Sequence, residues 1–306
     1  MNDAAIQVED LGFAYAGREV LQGVGLQVSH GEVYGLVGAD GAGKTTLLRL
    51  AVGQLIPARG DVRVLNQPAA SPALRSELAY MPQGFGLYQD LSVQENLDFF
   101  ADLHGLERRV AQARIIDLLR RTGLNGFEGR RAGHLSGGMM QKLALACALV
   151  SQPRVMFLDE PTTGVDPVSR RAFWRLLDGV RAAGVAILYA TANMDEAERC
   201  DRVGLLENGR LTRQGTPLEL ASGEDTVLVG ITGPEARRYR QAVAALPGVR
   251  LVFPMGRQLR VWLESPGSLE DWQARLATLS PELTAERLQP ALQDATLRDL
   301  ALAGAD

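Results

Sequence analysis

The chain has 306 residues, a formal net charge of −4, 46% hydrophobic and 22% charged residues. That length holds one large domain and a small one, or two modest ones, and the slightly acidic balance excludes a general attraction to nucleic-acid backbones or anionic lipid, so no nucleic-acid partner is expected. Cys147 and Cys200 fit no disulfide framework or CxxC spacing and read as small buried hydrophobes in a reducing cytosol, while no apolar run nears the roughly 20 residues of a membrane span.

The opening MNDAAIQVEDLG lacks the basic-then-apolar shape of a leader, which predicts a cytoplasmic chain reaching any membrane through a partner. From Ile6 to Gly38, apolar and polar positions alternate between Gly-bearing turns, as in a small antiparallel layer that ends in the apolar strand EVYGLVG. GKTTLLRLAVGQL then has helical spacing and GDVRVLNQP reads as a return strand. Residues 87–150 form an inserted helical block, with apolar residues at three- and four-residue intervals in SVQENLDFFADLHGL, RRVAQARIIDLLRRTGL and SGGMMQKLALACALV. Strand RVMFLDE, helix SRRAFWRLLDGVRAAG, strand VAILYAT, helix MDEAERC and strand DRVGLLENG resume an alternation that predicts a parallel sheet covered by helices. Beyond ASGED, strand TVLVGITG, helix PEARRYRQAVAAL, strands VRLVFP and QLRVWLE and helix SLEDWQARLATL read as a β-α-β-β-α unit of ferredoxin-like type. The expected division is 1–221 for the larger domain and 224–306 for a small α+β domain. Trp262 and Trp272 at apolar positions belong in its core.

GADGAGKT, residues 38 to 45, fits GxxxxGK[ST] between a strand and a helix, the context that marks a P-loop. Its glycines let backbone N–H groups wrap phosphate oxygens, Lys44 would reach the β- and γ-phosphates, and Thr45 would ligate Mg²⁺. Asp40 adds a carboxylate to this anion site and would have to point outward. RVMFLDE places Asp159 and Glu160 at the carboxyl end of a buried strand, where ligands collect in open α/β sheets. One carboxylate there can serve the Mg²⁺ shell while its neighbour polarises a water. In HLSGGMMQ, Ser136 would cap the following helix, and Gly137 and Gly138 leave its first N–H groups bare for an anion. Gln83 in YMPQ and Tyr15 in FAYAG are weaker signals.

Together these stretches resemble the ATP-binding cassette (ABC) ATPases: GADGAGKT is similar to Walker A, MPQ to the Q-loop, LSGGMMQ to the signature, VMFLDE to Walker B and GVDP to the D-loop, in the family's order over residues 5 to 215. The resemblance implies a P-loop ABC fold with a RecA-like parallel sheet, an antiparallel β layer and an inserted helical subdomain. It implies that ATP and Mg²⁺ are bound by Tyr15, by Gly38, Ala39, Asp40, Gly41, Ala42, Gly43, Lys44, Thr45 and Thr46, and by Gln83, Asp159 and Asp166. Thr45, Gln83 and Asp159 would serve the metal and Glu160 would be the catalytic base. It further implies head-to-tail pairing with a second cassette, each ATP lying between one subunit's Walker motifs and the other's Ser136 to Gly138. EPTTGVDPVSRR, MDEAERCDRVGLLENG and a C-terminal PALQDATL-like helix resemble the ATPase subunits of type-2 ABC exporters, which serve membrane permease subunits, and YMPQGFGLYQDLSVQENL resembles multidrug exporters with two cassettes in tandem. The family docks a permease helix in a groove that residues 84 to 100 would line. The rival reading, a soluble ABC ATPase of translation or repair, is disfavoured by the acidic balance, the single cassette and the lack of a long heptad run.

One position departs from the family. The strand before MDEAE normally ends Thr-His, with the histidine on the γ-phosphate, and here that slot holds Ala192. A methyl group donates no hydrogen bond. Asn193 is one residue further along and would face the other way in an extended segment. His30, His104 and His134 fall in a turn, a helix and just ahead of the signature, as structural or surface residues. The sequence therefore predicts ATP binding with slow turnover at this chain's own Walker motifs, and a preference for pairing with a competent second cassette over homodimerisation.

Overall fold

The computed structural model describes residues 4–222, 226–264 and 269–303. The ends of the two expected domains at residues 1 and 306, and the start of the second at 224, lie outside them. The chain forms two compact units, Met1–Gln214 and Gly215–Asp306.

The first unit begins with β1 (Ala4–Tyr15) and β2 (Arg18–Ser29), then β3 (Val33–Val37), α1 (Lys44–Ala51), β4 (Arg59–Val64), β5 (Gln67–Pro68) and β6 (Leu78–Met81). α2 (Val93–Leu103), α3 (Arg108–Thr122) and α4 (Gly137–Leu149) follow, and then β7 (Val155–Asp159), α5 (Pro167–Ala182), β8 (Ala186–Thr191), α6 (Met194–Ala197), β9 (Arg202–Glu207) and β10 (Arg210–Gly215). β1 and β2 close as a hairpin over Ala16 and Gly17, whose φ angles of 47° and 83° are those a two-residue hairpin turn demands. With β4 and β5 they make an antiparallel sheet in the order β2-β1-β4-β5. The second sheet runs β10-β9-β3-β8-β7-β6, and the ladders joining β3, β6, β7, β8 and β9 are all parallel.

Burial explains the composition of the central strands. β3, β7 and β8 are buried along their whole length, with no polar alternation, as strands covered on both faces must be. Leu47, Leu48 and Leu50 of α1 pack with Leu36, Phe157 and Leu188 of these strands in one core. The helices α2, α3 and α4 build a separate core from Leu97, Ile115, Leu119, Leu143 and Cys147. Ser92 starts α2 with a full capping box, its hydroxyl accepting from Glu95 N and the Glu95 carboxylate from Ser92 N.

The second unit contains α7 (Pro217–Ala221), β11 (Val227–Thr232), α8 (Arg240–Ala244), β12 (Val249–Met255), β13 (Gln258–Leu263), α9 (Leu269–Leu279), β14 (Thr284–Leu288) and α10 (Leu292–Ala303). Its antiparallel sheet has the order β12-β13-β11-β14. β14 pairs along its whole length with Leu228–Thr232 of β11 and adds a fourth strand to the β-α-β-β-α unit expected from the sequence. The expected helix over PEARRYRQAVAAL is shorter: Glu235 sits at φ 52° and a 3-10 turn precedes the five residues of α8. Trp262 and Trp272 are buried.

Phe157 has no exposed surface at the centre of β7. Phe157→Ala should destabilise the first unit by about 3–5 kcal/mol, read as a lower denaturant midpoint for that unit. An unchanged midpoint would contradict the placement of β7 at the centre of the core.

Candidate functional site

Strand register builds the site. Val37 of β3 pairs with Thr191 of β8, and Ala190 of β8 pairs with Asp159 of β7. The chain therefore leaves the sheet at Gly38, Ala192 and Glu160 on one edge, at the carboxyl ends of parallel strands.

The loop from Gly38 to Gly43 needs its glycines. A Cβ on Gly38 would lie 2.4 Å from the Leu206 carbonyl oxygen, and Gly43 has φ 110° with Leu21 Cδ2 2.8 Å from where its Cβ would be. Ala39, Asp40 and Gly41 are exposed at the tip, whereas Ala42, Gly43, Lys44 and Thr46 are buried and Thr45 is half-buried. Asp40 thus stands where its carboxylate remains solvated. No side chain caps α1, so its first N–H groups stay available to an anion. Lys44 Nζ donates to the carbonyls of Gly38 at 2.7 Å and Ala39 at 3.1 Å and lies 3.0 Å from Glu160 Oε1.

The two adjacent carboxylates have different surroundings. Asp159 is fully buried and accepts from Thr45 Oγ1 at 3.1 Å and from Tyr80 OH at 3.3 Å. Burial pushes its carboxyl above the ordinary range; the two hydroxyls pull it down and the Glu160 charge pushes it up further. Burial likewise raises the Tyr80 phenol, with the Asp159 charge adding to the effect. Glu160 takes a left-handed φ of 48°, held by its N–H donating to the Ala190 carbonyl at 3.0 Å, which turns its side chain back across the sheet edge. Its Oε2 accepts from Thr163 Oγ1 at 3.2 Å and, more weakly, from Gln83 Nε2 at 3.4 Å. Lys44, Thr45, Gln83, Asp159 and Glu160 are thus one connected cluster.

Other residues singled out in the sequence stand apart from that cluster. Tyr15 is exposed, packs edge-on against Phe13 at 4.8 Å, and flanks Arg49, whose guanidinium Tyr80 and then Tyr15 hold above its ordinary range. Ser136 caps α4, accepting from Met139 N at 3.3 Å. Gly138 faces the start of α5, where an added Cβ would fall 2.2 Å from Ser169 Oγ. Asp166 caps α5 by accepting from Val168 N and Ser169 N, both at 2.9 Å; the Ser169 hydroxyl and amide hold its carboxyl low. Among the described residues no hydrogen bond or ion pair joins Ser136, Gly137 or Gly138 to the P-loop.

Ala192 is exposed on the bend after β8. Asn193 is occupied as the cap of α6, its Oδ1 accepting from Asp195 N at 2.9 Å. The three histidines do not enter the cluster: His30 is in a turn, His134 ends a 3-10 turn and His104 closes α2. Tyr80 and Thr163 were not foreseen from the sequence. Both lie within four residues of a recognised motif, the signal that would have found them.

A phosphate-wrapping loop with a buried lysine, a hydroxyl on a buried carboxylate and a second carboxylate beside the lysine defines a P-loop ATPase. The family model for the ABC transporter matches residues 21–163. The probable multidrug ABC transporter ATP-binding protein YbhF of Escherichia coli is 39% identical over 310 residues, 99% of this chain and 53% of that protein, so the chain spans about half the length of that relative. Nod factor export ATP-binding protein I of a Rhizobium species is 35% identical over 297 residues, covering 90% of this chain and 98% of that one. Among solved structures, cbiO1 from Clostridium perfringens, part of the ABC transporter complex cbiONQ, matches at TM-score 0.66 and 31% identity over 72% of this chain and 91% of that one. An ATP binding subunit of an ABC transporter matches at TM-score 0.65 and 32% identity over 71% and 91%. The chain belongs to the ATP-binding subunits of ABC transporters. No helix among the described residues is long and apolar enough to cross a membrane.

Asp159→Asn removes a buried charge while an amide still pairs with Thr45 and Tyr80. The raised folded carboxyl means that the ionised form opposes folding. This contribution is absent below the unfolded carboxyl range, near pH ~3.9, and grows as pH rises through the folded value. The nucleotide-free Asp159→Asn chain should therefore melt about 2–4 °C higher at neutral pH, what roughly 1 kcal/mol gives in a domain of this size, with little difference near pH ~4. Equal melting points at neutral pH would show that burial of this charge costs the fold nothing.

Proposed function

We propose that this chain is the ATP-binding subunit of an ABC exporter and works as one half of an asymmetric cassette pair. The observation that carries the reading is Ala192: it stands on the bend just after β8, whose last residues pair beside the Lys44 loop and Glu160, in an otherwise fully furnished cluster, and offers only a methyl group. ATP is the substrate. Its β- and γ-phosphates would replace the Gly38 and Ala39 carbonyls and Glu160 as partners of Lys44, while the N–H groups of Gly41 to Thr46 wrap the phosphate oxygens and Tyr15 stacks on the adenine.

Thr45 and Asp159, with Gln83 against the neighbouring Glu160, would hold Mg²⁺, whose role when bound is to neutralise charge on the phosphates. The set fits a hard cation that keeps water and phosphate ligands: two oxygens lie 3.1 Å apart, and among the described residues no cluster of three or more His, Cys, Asp or Glu side chains could hold a metal unaided. Glu160, released from Lys44, would take the proton of the attacking water. Nothing at position 192 donates to the γ-phosphate. Losing one such donor commonly costs about 10²–10³ in rate. Ser136 to Gly138, remote from this chain's own P-loop in its contacts, would close the site of a second cassette, with Asp166 and Gly138 at the junction.

Coupling to membrane permease subunits has its own support. A groove of about 670 Å³ next to Gln83 is lined by Phe85, Tyr88, Phe99, Phe100 and Leu103. Tyr88, Phe99 and Leu103 are exposed, and Tyr88 and Phe99 pack edge-on at 4.6 Å. Exposed aromatics in a concave patch suit an amphipathic helix. The chain would thus sit at the cytoplasmic face of the membrane, with residues 1–221 as cassette and 224–306 as an accessory domain. The export direction is supported by the relatives named for multidrug transport and Nod factor export.

Lys44→Ala should abolish ATP binding in equilibrium titrations, and near-native affinity would remove the P-loop assignment. Glu160→Gln should bind ATP as the native chain does and lose its residual hydrolysis; unchanged turnover would show that another group is the base. A Tyr88→Ala, Phe99→Ala double variant should bind ATP normally yet fail to co-purify with permease subunits, and full co-purification would rule out the aromatic groove as the docking surface.

A further inference from the structure

Glu196 is a buried carboxylate, 2% exposed, that no role above uses. It lies in the single turn of α6. Its Oε2 accepts from Thr191 Oγ1 at 2.7 Å, its Oε1 accepts from Thr162 Oγ1, and Oε1 lies 3.4 Å from Arg170 Nε. Thr191 Oγ1 in turn accepts from Asn193 N at 2.9 Å, which fixes the bend at residue 192. Arg170 also reaches back through Nη2 to the Val165 carbonyl at 3.4 Å.

Thr162, Thr191 and Arg170 come from three separate segments, and the buried Tyr189 hydroxyl, on the same strand as Thr191, meets the same carboxylate. Thr162 follows Glu160 by two residues, Thr191 immediately precedes Ala192, and Arg170 stands in the first turns of α5, behind Val165 and Asp166. A buried carboxylate is stable only while its donors stay in place, so the position of each segment constrains the other two. Asn193 and the Thr191 hydroxyl give the bend its shape, and the methyl group of Ala192 adds no hydrogen bond.

We propose that Glu196 is a positioning residue that locks the Glu160 loop, the bend at Ala192 and the start of α5 into one unit, keeping Glu160 in place where residue 192 supplies no hydrogen bond. The proposal rests on the reading of this edge as an ATPase site. It makes the Asp166 end of α5, which Gly138 abuts through Ser169, the route by which a second cassette would adjust Glu160.

The test compares the full chain with Glu196→Gln, Thr191→Val and Thr191→Ser. Thr191→Val is isosteric but lacks the hydroxyl; Thr191→Ser keeps it. Glu196→Gln and Thr191→Val should hold the ATP Kd within about twofold and lower kcat about tenfold. Amide exchange should quicken in residues 161–166 and 191–195 and nowhere else in the first unit, and Thr191→Ser should behave as native. Native exchange in both segments, or faster exchange spread over the whole unit, overturns the proposal, as does an unchanged kcat. If Glu196→Gln does not fold, the two Thr191 variants decide. If native turnover is below detection, the exchange pattern decides alone. Failure of the native chain to bind ATP would sink the site reading instead, a separate result seen without any variant.

Discussion

The parallel register of β3, β8 and β7 is the constraint on which the rest depends. Pairing Val37 with Thr191 and Ala190 with Asp159 sets the P-loop, the bend at Ala192 and the Glu160 turn side by side. A slip of one residue in either ladder would turn every side chain to the opposite face and separate Thr45 from Asp159. The three strands are buried end to end, so packing on both faces holds that register in place. The chemistry at the edge is therefore placed by packing that has no chemical role.

The edge itself works against the fold. Asp159 is held without solvent, with two hydroxyls as partners, and Glu160 is held at a left-handed φ. Lys44 compensates by lying against Glu160 and two carbonyls. Each of these arrangements stores a preference for an added anion and cation, because ligands would relieve buried charge and release the lysine from its internal partners. Functional sites commonly trade stability in this way. On the proposed reading, the absence of a donor at 192 would leave that binding logic intact and affect only the step in which charge develops.

Much of this was legible in the sequence because it depends on local pattern. GADGAGKT specifies its loop through glycines whose Cβ atoms would collide with Leu206 or Leu21, and VMFLDE specifies a buried strand with carboxylates at its end. What depends on distant segments was not legible. The Glu196 network joins residues 162, 170, 191 and 196, and nothing local in MDEAE distinguishes a buried carboxylate from a solvated one. β14 was missed because TAERL is too short and polar to read as a strand; its place comes from backbone pairing with β11. The helix over PEARRY fell short because Glu235 turns left-handed at its start.

We propose that this chain's own site lacks only a donor at position 192. Steady-state ATP turnover of the purified chain, measured beside Ala192→His at matched concentration, distinguishes this from a self-sufficient site. A gain of about 100-fold is the predicted result, the value of one positioned donor to the developing charge. Brisk hydrolysis by the native chain with no gain from the histidine would mean that another group fills the position and that two copies of this chain suffice.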